Sequence, residues 1–504
     1  MPTLFPYTTL FRSAAPLAPL RSVADAWCAA WFWPAGVEPV TARAWTSFSA
    51  ALRGDRSGLP PRLEARWRDA TNEVTTRERF FHWELEFPEA FFDERGEPRV
   101  DAGFDAVIGN PPWAAAAGDL TRFSRESGCY RLQGEGHANL YQVFAERMLQ
   151  LAAPRGRVGM LMPSGLLGDQ GCAHLRRHLF DRWTIDASIG FDNGGAIFPI
   201  HRGMRFSLLT ATSGGSTTEL RFRTGVRSAA VLDDVPDQGD VPDSIRVPLT
   251  LVRRFGGPAL AVPELRHERD RAILAQVVAA APALGSEEGW GARFGRELNA
   301  TDDRRHFGSS GLPVLEGKLI DPFVARARDA THFVDRAVAA RLLKHRARID
   351  APRLGYREVA SSTNRLTLIA AIVPAGVVTT HTIFCMREPE DEDVHWFLCG
   401  IFNSYVANYL VRLRGGMHVP AAVIHQLPVP RPSAGLSFTI AALSREAAAH
   451  PSNAGARAEL QARVTRAYGL DEHDLIHVLS TFPIVPEIER AAALGAFRAI
   501  RDGL

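Results

Sequence analysis

Apolar and polar positions through the middle of the chain follow two alternating periods. Four short apolar runs have the length and composition of buried strands: 104–109, 158–163, 185–191 and 206–211. Two longer segments between them, 137–151 and 172–183, carry apolar residues at helical spacing. Alternation of strands and helices is typical of a parallel sheet with crossover helices. The pattern therefore predicts an α/β fold.

The remaining segments differ in composition and predict separate regions. Residues 14–79 are rich in alanine and tryptophan and predict helices, whereas the apolar–polar alternation of 80–89 predicts a short strand. The segment 214–249 is rich in glycine, aspartate, threonine and serine, which is typical of a linker. We expect an α+β domain over 250–432, where short β-like runs mix with helices, and a helical C-terminal region over 433–504.

The first predicted strand ends abruptly in Asn110-Pro111-Pro112-Trp113. Two prolines forbid the strand to continue, and ligands of α/β proteins usually bind where strands end. The Asn110 side-chain oxygen and the Pro111 carbonyl can accept hydrogen bonds from both N–H groups of an exocyclic amine, and Trp113 can stack on a flat ring. These four residues are therefore candidate catalytic residues for chemistry on a nucleobase, although a strand that merely ends in a turn is the alternative.

Composition and charge exclude several other classes of protein. The 504 residues carry a formal net charge of +2, which neither requires nor excludes nucleic acid. The five cysteines form no CxxC pair, so a disulfide framework or zinc site is not expected and a reducing cytoplasm is the default location. No apolar run approaches the roughly 18 residues of a membrane helix. We expect no metal site and no membrane partner.

With its neighbouring segments, the strand-end motif resembles the amino-methyltransferases of DNA, whose signature is Asn or Asp, two prolines and an aromatic residue. Other segments are similar to the large, type IIG-like branch of that family and to its TaqI-like specificity domain: 139–144, 156–165, 198–206, 315–320, 356–360, 363–364 and 427–430. The resemblance implies a partial Rossmann-like methyltransferase sheet over 80–213. It also implies an α+β target-recognition domain over 250–432.

The resemblance further implies an activity and its partners. Enzymes of this family transfer a methyl group from S-adenosylmethionine to the N6 amino group of an adenine flipped out of double-stranded DNA. They serve restriction–modification or phage defence, which implies possible partner subunits. Methylation of cytosine N4 is a lesser possibility, because that group more often has serine at the position of Asn110. A non-catalytic DNA-binding or specificity protein with a vestigial methylase fold is the alternative function, and nothing in the sequence supplies the carboxylate–lysine set of a fused nuclease.

One departure from the family concerns the cofactor. The family binds S-adenosylmethionine with a Gly-rich loop after its first strand, and no such segment precedes Asn110. Gly194 and Gly195 come after the wrong strand and predict a turn. Residues 3–13 look like the conceptual translation of a sequencing adaptor, so 1–13 is expected to be artefactual. We therefore expect a truncated gene product that is inactive as written, with its cofactor-binding residues unknown.

Basic residues concentrate between 300 and 370 and are densest from Arg341 to Arg348. Such a cluster can bind phosphates, although a solvated helix face is an equal alternative for any single arginine. Asparagine and arginine also make bidentate contacts with base edges. The candidate DNA-binding residues are Lys318, Arg357, Asn364, Arg365, Arg414 and His418.

Overall fold

The computed structural model describes residues 14–500 except 135, 137–138, 237–239, 345–348, 360–363, 388–390 and 416–417. The adaptor-like segment 1–13 and the densest part of the predicted basic cluster, 345–348, lie outside the described residues. The chain divides into two compact units. The first unit extends to Arg221 and also includes Val226–Val241. The second unit consists of Phe222–Gly225 and the chain from Pro242 onwards.

The first unit begins with helices, as predicted for 14–79. These are α1 (Ala14–Ala29), α2 (Ala42–Arg53) and α3 (Pro61–Glu78). Trp67 and Phe48 are buried together at their interface, with ring centroids 5.4 Å apart. Core packing explains these aromatic residues.

The strand predicted over 80–89 is wrong. The segment forms two short helices, α4 (Trp83–Glu86) and α5 (Pro88–Phe91). Trp83 and Phe87 lie 6.0 Å apart with stacked rings, and both contact Phe104. The alternating aromatic residues therefore form a cluster against the first strand instead of pairing as a strand themselves.

The predicted α/β fold class is confirmed. The first unit contains β1 (Phe104–Gly109), β2 (Ala152–Pro163), β3 (Trp183–Asp192) and β4 (Arg205–Ser213), in the spatial order β1-β2-β4-β3. β1 and β2 are parallel, whereas β4 runs antiparallel to both β2 and β3. The accompanying helices are α6 (Gly118–Glu126), α7 (Leu140–Leu151), α8 (Gly165–Gly168) and α9 (Ala173–Arg182).

The segment 214–249, predicted as a linker, contains two strands. They are β5 (Glu219–Val226) and β6 (Ile245–Pro248). Leu220 and Phe222 are each 3% exposed and alternate with exposed or half-buried polar residues, which is the period of a strand. Because the flanking turns are polar, the segment was predicted as a linker and this short alternation was not identified as a strand.

The second unit mixes small sheets with helices. One four-stranded sheet has the order β15-β9-β12-β8 and the other has the order β14-β13-β16-β7. The strands are β7 (Phe294–Gly295), β8 (Phe307–Gly308), β9 (Leu312–Leu315), β10 (Ile320–Asp321), β11 (Val324–Ala325), β12 (His332–Val334), β13 (Arg353–Arg357), β14 (Ala370–Val373), β15 (Val378–Thr379) and β16 (Ile383–Met386).

Helices form the rest of the second unit and dominate its end. They are α10 (Leu249–Gly256), α11 (Glu268–Ala280), α12 (Arg336–Leu343), α13 (Glu392–Phe402), α14 (Tyr405–Arg412), α15 (Ala421–His425), α16 (Ala434–Ala449), α17 (Ala454–Ala467), α18 (Glu472–Ser480) and α19 (Glu487–Ala499). Within the part of the chain that the structure describes, no helix combines the length and apolarity needed to cross a membrane.

Candidate functional site

Three connecting segments of the first unit meet along one edge of its sheet. Gly109 at the end of β1 pairs with Met160 of β2. Pro163 at the end of β2 pairs with Phe206, and Asp192 at the end of β3 pairs with Arg205. The residues that follow β1, β2 and β3 are therefore brought to a common edge, where side chains from different loops can act on one ligand. We call it the carboxyl edge.

The motif Asn110–Trp113 lies at this edge directly after β1. Asn110 is exposed, and its side chain makes no hydrogen bond to another described residue. Pro111 is buried and fixes the turn. The Trp113 ring lies 5.7 Å from that of Phe206, so the indole is packed into the apolar cluster and does not stand free. Its Nε1 is buried and has no hydrogen-bond partner in the part of the chain that the structure describes.

The chain after Trp113 is tied to the start of α7. The Leu140 amide donates to the Ala114 carbonyl at 2.9 Å, and Ala115 forms an isolated β-bridge with Asn139. Asn139 and Gln142 form a capping box at the first turn of α7. The intervening segment contains helix α6. The motif is therefore fixed at both ends.

The loop after β2 is fixed by a buried arginine. Arg176 is fully buried and donates to the carbonyls of Leu166 and Asp169, each at 2.8 Å. Burial lowers the pKa of this guanidinium. Burial also raises the pKa of the Asp169 carboxyl, although the charge of Arg176 opposes that shift. A buried cation bonded to two backbone carbonyls holds the loop in one conformation.

The same loop is tied to α7 by a buried thiol. The Gln142 amide donates to the Cys172 sulfur at 3.0 Å, and the Tyr141 hydroxyl lies 3.4 Å from that sulfur. Burial raises the pKa of the Cys172 thiol. A buried neutral thiol packs and does not react, so we assign Cys172 a structural role.

The loop after β3 is organised by Asn193, which is completely buried. Its Nδ2 donates to the carbonyls of Phe198 at 3.2 Å, Ile200 at 3.1 Å and His201 at 3.3 Å. Its Oδ1 accepts from the Phe198 amide at 2.9 Å. The Phe198 ring lies edge-on to Trp113, with centroids 6.5 Å apart. Sequence reasoning assigned 192–195 to a turn, which is correct, but did not identify Asn193 as the residue that shapes it.

The candidate DNA-binding residues of the second unit have different surroundings. Lys318 is exposed and pairs with Glu316 at 2.7 Å. Arg365 forms an ion pair with Glu489. Asn364 is exposed, and its backbone carbonyl accepts from the Arg412 guanidinium at 2.7 Å.

The Arg414 side chain makes its contacts within the second unit. Its guanidinium lies 3.8 Å from the centre of the Phe255 ring and donates to the Phe255 carbonyl. Burial lowers the pKa of Arg414 to about 9. In this arrangement the side chain ties α10 to the end of α14, and a contact of Arg414 with DNA stays a prediction.

Arg357 and His418 are brought close together. Val359, two residues after Arg357, forms an antiparallel bridge with His418, and the Val419 amide donates to the Glu358 carbonyl at 2.8 Å. His418 is exposed, and the buried Nε of Arg357 has no hydrogen-bond partner among the described residues. Arg357 thus lies on the segment that pairs with His418, two residues from the position opposite it.

Arg353 lies within the range 300–370 in which basic residues concentrate. Its guanidinium is buried and makes a bidentate ion pair with Glu297, at 2.6 and 2.7 Å. Glu297 also accepts from the Thr379 amide at 2.8 Å. No signal in the sequence links Arg353 to Glu297, because 56 positions separate them.

A cavity of about 800 Å³ in the first unit lies apart from these motif residues. Its lining is largely apolar and comes mainly from α1, α7 and the cluster at 80–85, with Trp27, Phe81 and Phe144 among its walls. Asn110 and Trp113 do not line it. Across the described ranges, no group of three or more His, Cys, Asp or Glu side chains could hold a metal ion.

The match to a known protein family lies in the first unit. Residues 42–198 match the model of the Eco57I restriction-modification methylases. That segment is less than a third of the chain, and it contains β1, the motif Asn110–Trp113, the loop after β2 and Asn193. The match to a restriction-modification methylase therefore covers most of the carboxyl edge. No curated protein matches the chain.

Several solved structures of restriction-modification proteins are similar at low identity. The type IIL enzyme MmeI in complex with DNA is 11% identical over 87% of this chain and 64% of that chain, with a TM-score of 0.46. The type IIG restriction endonuclease BpuSI is 12% identical over 96% of this chain and 65% of that chain, with a TM-score of 0.30. The M protein of the type I enzyme EcoKI is 21% identical over 24% of this chain and 25% of that chain, with a TM-score of 0.20. The chain spans less than two thirds of the length of each.

The described residues do not fit the cofactor that the resemblance implies. Before β1 the described chain forms the helices α1 to α5, and none of it is a strand followed by a Gly-rich turn. Gly194 and Gly195 lie in the turn that Asp192 caps, where the Asp192 carboxylate accepts from the Gly194 amide at 2.9 Å. The Gly194 amide is therefore already bonded to a carboxylate within the turn. We assign no residue to S-adenosylmethionine.

Proposed function

We propose that this chain is the base-holding and DNA-recognising part of a site-specific DNA methyltransferase that acts on the N6 amino group of adenine. The observation that carries the proposal is the position of Asn110–Trp113 at the carboxyl edge, with Asn110 exposed and its side chain uncommitted. The match of 42–198 to a restriction-modification methylase model supports it. The biological setting is restriction–modification or phage defence, with double-stranded DNA as the partner.

The proposed chemistry depends on the low reactivity of the adenine amino group. The lone pair of an adenine amino group is delocalised into the ring, so the nitrogen is a poor nucleophile. Two acceptors that bind both of its N–H groups draw the nitrogen towards tetrahedral geometry and free the lone pair. The Asn110 side-chain oxygen and the Pro111 carbonyl are these acceptors. Pro111 and Pro112 contribute rigidity, because their fixed φ angles hold both acceptors in place.

Trp113 contributes a wall to the base site. Phe206 and Phe198 already pack against the indole, so an extruded base would stack on the side of the ring that they leave free. The indole Nε1 is itself buried, with no hydrogen-bond partner among the described residues, so a base would meet the face of the ring and not this donor.

S-adenosylmethionine would supply the methyl group as an electrophile. Because the described residues do not fit this cofactor, we draw no step through it. A separate assay with a donor that carries a labelled methyl group tests the donor site. We expect little or no transfer by the chain as given. Transfer to cytosine N4 in place of adenine N6 would be visible in the same assay from the labelled nucleoside.

Sequence recognition is the part of the proposal that the chain can be tested for directly. Duplexes selected from a random pool should converge on one short sequence that contains adenine, bound at least 10³-fold more tightly than random DNA. Convergence with no adenine in the sequence would remove the adenine assignment. Failure to converge would remove the site-specific function.

The alternative is a DNA-binding protein with a vestigial methylase fold. Such a protein would also select one DNA sequence, but Asn110 would have no role in holding the base. Asn110→Ala separates the two, because a vestigial motif predicts no dependence of base recognition on this side chain.

A further inference from the structure

The loop between β3 and β4 is unusually constrained for an exposed connection. The fully buried side chain of Asn193 makes four hydrogen bonds to the backbone of 198–201, and its own amide donates to the Met204 carbonyl at 3.1 Å. A second turn forms where the Met204 amide donates to the His201 carbonyl at 3.0 Å. A buried and fully hydrogen-bonded asparagine holds the tip of the loop in one position.

The tip of this loop is exposed and basic. His201 and Arg202 are both exposed, and Arg202 makes no ion pair or hydrogen bond to another described residue. The His201 Nδ1 accepts from the Gly203 amide at 3.1 Å. When the ring is neutral its proton is therefore on Nε2, which leaves a second donor free. The tip thus offers a cation and an N–H donor together.

The acid at the base of the loop is already engaged. The Asp192 carboxylate accepts from the Gly194 amide and pairs with Arg227 at 3.2 Å. Burial alone would raise the pKa of Asp192, but these contacts outweigh it and hold the pKa below its ordinary value. Asp192 therefore does not neutralise Arg202.

The loop reaches the motif through aromatic contact. Phe198, which is fixed by Asn193 through both its amide and its carbonyl, lies edge-on to Trp113. The exposed tip begins three residues later, at His201. Because the loop starts and ends at the paired residues Asp192 and Arg205, its cationic tip lies at the same carboxyl edge as the Asn110–Trp113 motif.

We propose that 198–203 is a phosphate-binding loop in which Arg202, with His201, binds a backbone phosphate of the DNA strand that carries the target base. This inference rests on the proposed function and names how the strand is held there. Asn193 is a positioning residue, because it acts by fixing the loop. A phosphate held beside the motif supports the strand while its base is out of the stack.

The test is the salt dependence of binding to the selected duplex, measured with the full chain. One phosphate contact contributes about 0.9 to the slope of log K against log salt. Arg202→Gln should lower the slope by about that amount and weaken binding by roughly threefold to tenfold near 0.1 M salt. Arg202→Lys keeps the charge and should keep the slope.

Arg95→Gln is the matched control. Arg95 is exposed in the turn between Phe92 and Pro98, which precedes β1 and is not part of the carboxyl edge. Its slope should equal that of the unaltered chain. Equal slopes for Arg202→Gln and the unaltered chain, or equal losses in Arg202→Gln and Arg95→Gln, would overturn the inference while leaving the proposed function in place. An unaltered chain that does not bind duplex DNA would overturn both.

Asn193→Ala tests the positioning role without changing the charge. The variant should lose part of the slope although Arg202 is intact, and its far-ultraviolet circular dichroism should stay that of the folded chain. A folded Asn193→Ala chain with an unchanged slope would contradict the role of Asn193. In an unfolded variant, Arg202→Gln still decides the inference.

Discussion

The carboxyl edge of the first unit and the arginine-rich part of the second unit were equally prominent in the sequence, but the fold uses them differently. At the carboxyl edge, Asn110 stays exposed and uncommitted while the loops around it are fixed. In the second unit, Arg353 is buried in the core, Arg365 is paired and Arg414 is packed on an aromatic ring. The predicted residues of the motif Asn110–Trp113 lie together at the carboxyl edge. The arginines of the second unit lie in several different environments.

The difference has a physical origin in sequence distance. Asn110 to Trp113 are positioned by a local event, the end of a strand at two prolines. The role of an arginine depends on partners far along the chain: 56 positions for Arg353 and Glu297, 124 for Arg365 and Glu489, and 159 for Arg414 and Phe255. Composition cannot separate a core arginine from one that meets DNA.

The largest expected effect would come from Glu297→Gln. The change leaves the Arg353 charge buried without its partner, which costs roughly 3–5 kcal/mol of unfolding free energy. Glu316→Gln, at the exposed pair with Lys318, is the control and should change stability by less than about 1 kcal/mol. Urea unfolding of both variants measures the difference. Similar losses would mean that Arg353 is no more structural than a surface cation.

A second effect depends on pH and involves Asp270 of the second unit. Burial raises the pKa of this carboxyl, but hydrogen bonds from His477, Tyr409 and two backbone amides outweigh it and lower the pKa to about 2. The stabilisation is therefore present above the ordinary pKa of 3.8 and is lost as pH falls towards 2. It amounts to roughly 2 kcal/mol.

Asp270→Asn should remove this acid-dependent loss, as shown by thermal unfolding between pH 5 and pH 2.5. Asp169 at the carboxyl edge has its pKa raised by burial, so Asp169→Asn should not flatten the acid limb. An acid limb that is unchanged in Asp270→Asn would show that the network contributes nothing to stability.

A third pair of variants separates structural from DNA-facing cations within the second unit. Arg414→Gln loses the contact with Phe255 and should destabilise the chain by about 1–2 kcal/mol, with little change in the salt slope of DNA binding. Lys318→Gln should leave stability within about 0.5 kcal/mol and reduce the slope by about 0.9. Reversed results would restore Arg414 as a DNA contact.

The smallest expected effect on folding belongs to Asn110→Ala. The side chain is exposed and unbonded within the described residues, so the free energy of unfolding should change by less than about 0.5 kcal/mol. Thermal unfolding beside the unaltered chain measures it. A larger loss would mean that Asn110 holds the fold, which would weaken its assignment to the base.

Periodicity predicted the fold class and the first strand well. The apolar run 104–109 is β1 as observed, because an apolar run that ends at two prolines has few alternatives. The expectation that this strand is buried is wrong, since none of its residues is buried and Ile108 is 87% exposed on the outer strand of the sheet. Within 394–413 the apolar residues continue at helical spacing, but the structure has two helices there, since buried Asn403 and Ser404 interrupt the run and the Ser404 hydroxyl caps α14 by accepting from the Ala407 amide. Asn193 was missed because its bonds go to backbone groups, which leave no trace in residue types.

The central claim is that Asn110 accepts a hydrogen bond from the amino group of the target adenine, and a double-mutant cycle tests it most directly. Binding is measured for the unaltered chain and Asn110→Ala on the selected duplex, with either adenine or purine, which lacks the amino group, at the target position. The cycle cancels the weaker base pairing of purine because both proteins experience it. We predict a coupling of about 1–3 kcal/mol between Asn110 and the amino group. A coupling near zero, with purine weakening both proteins equally, would contradict the account.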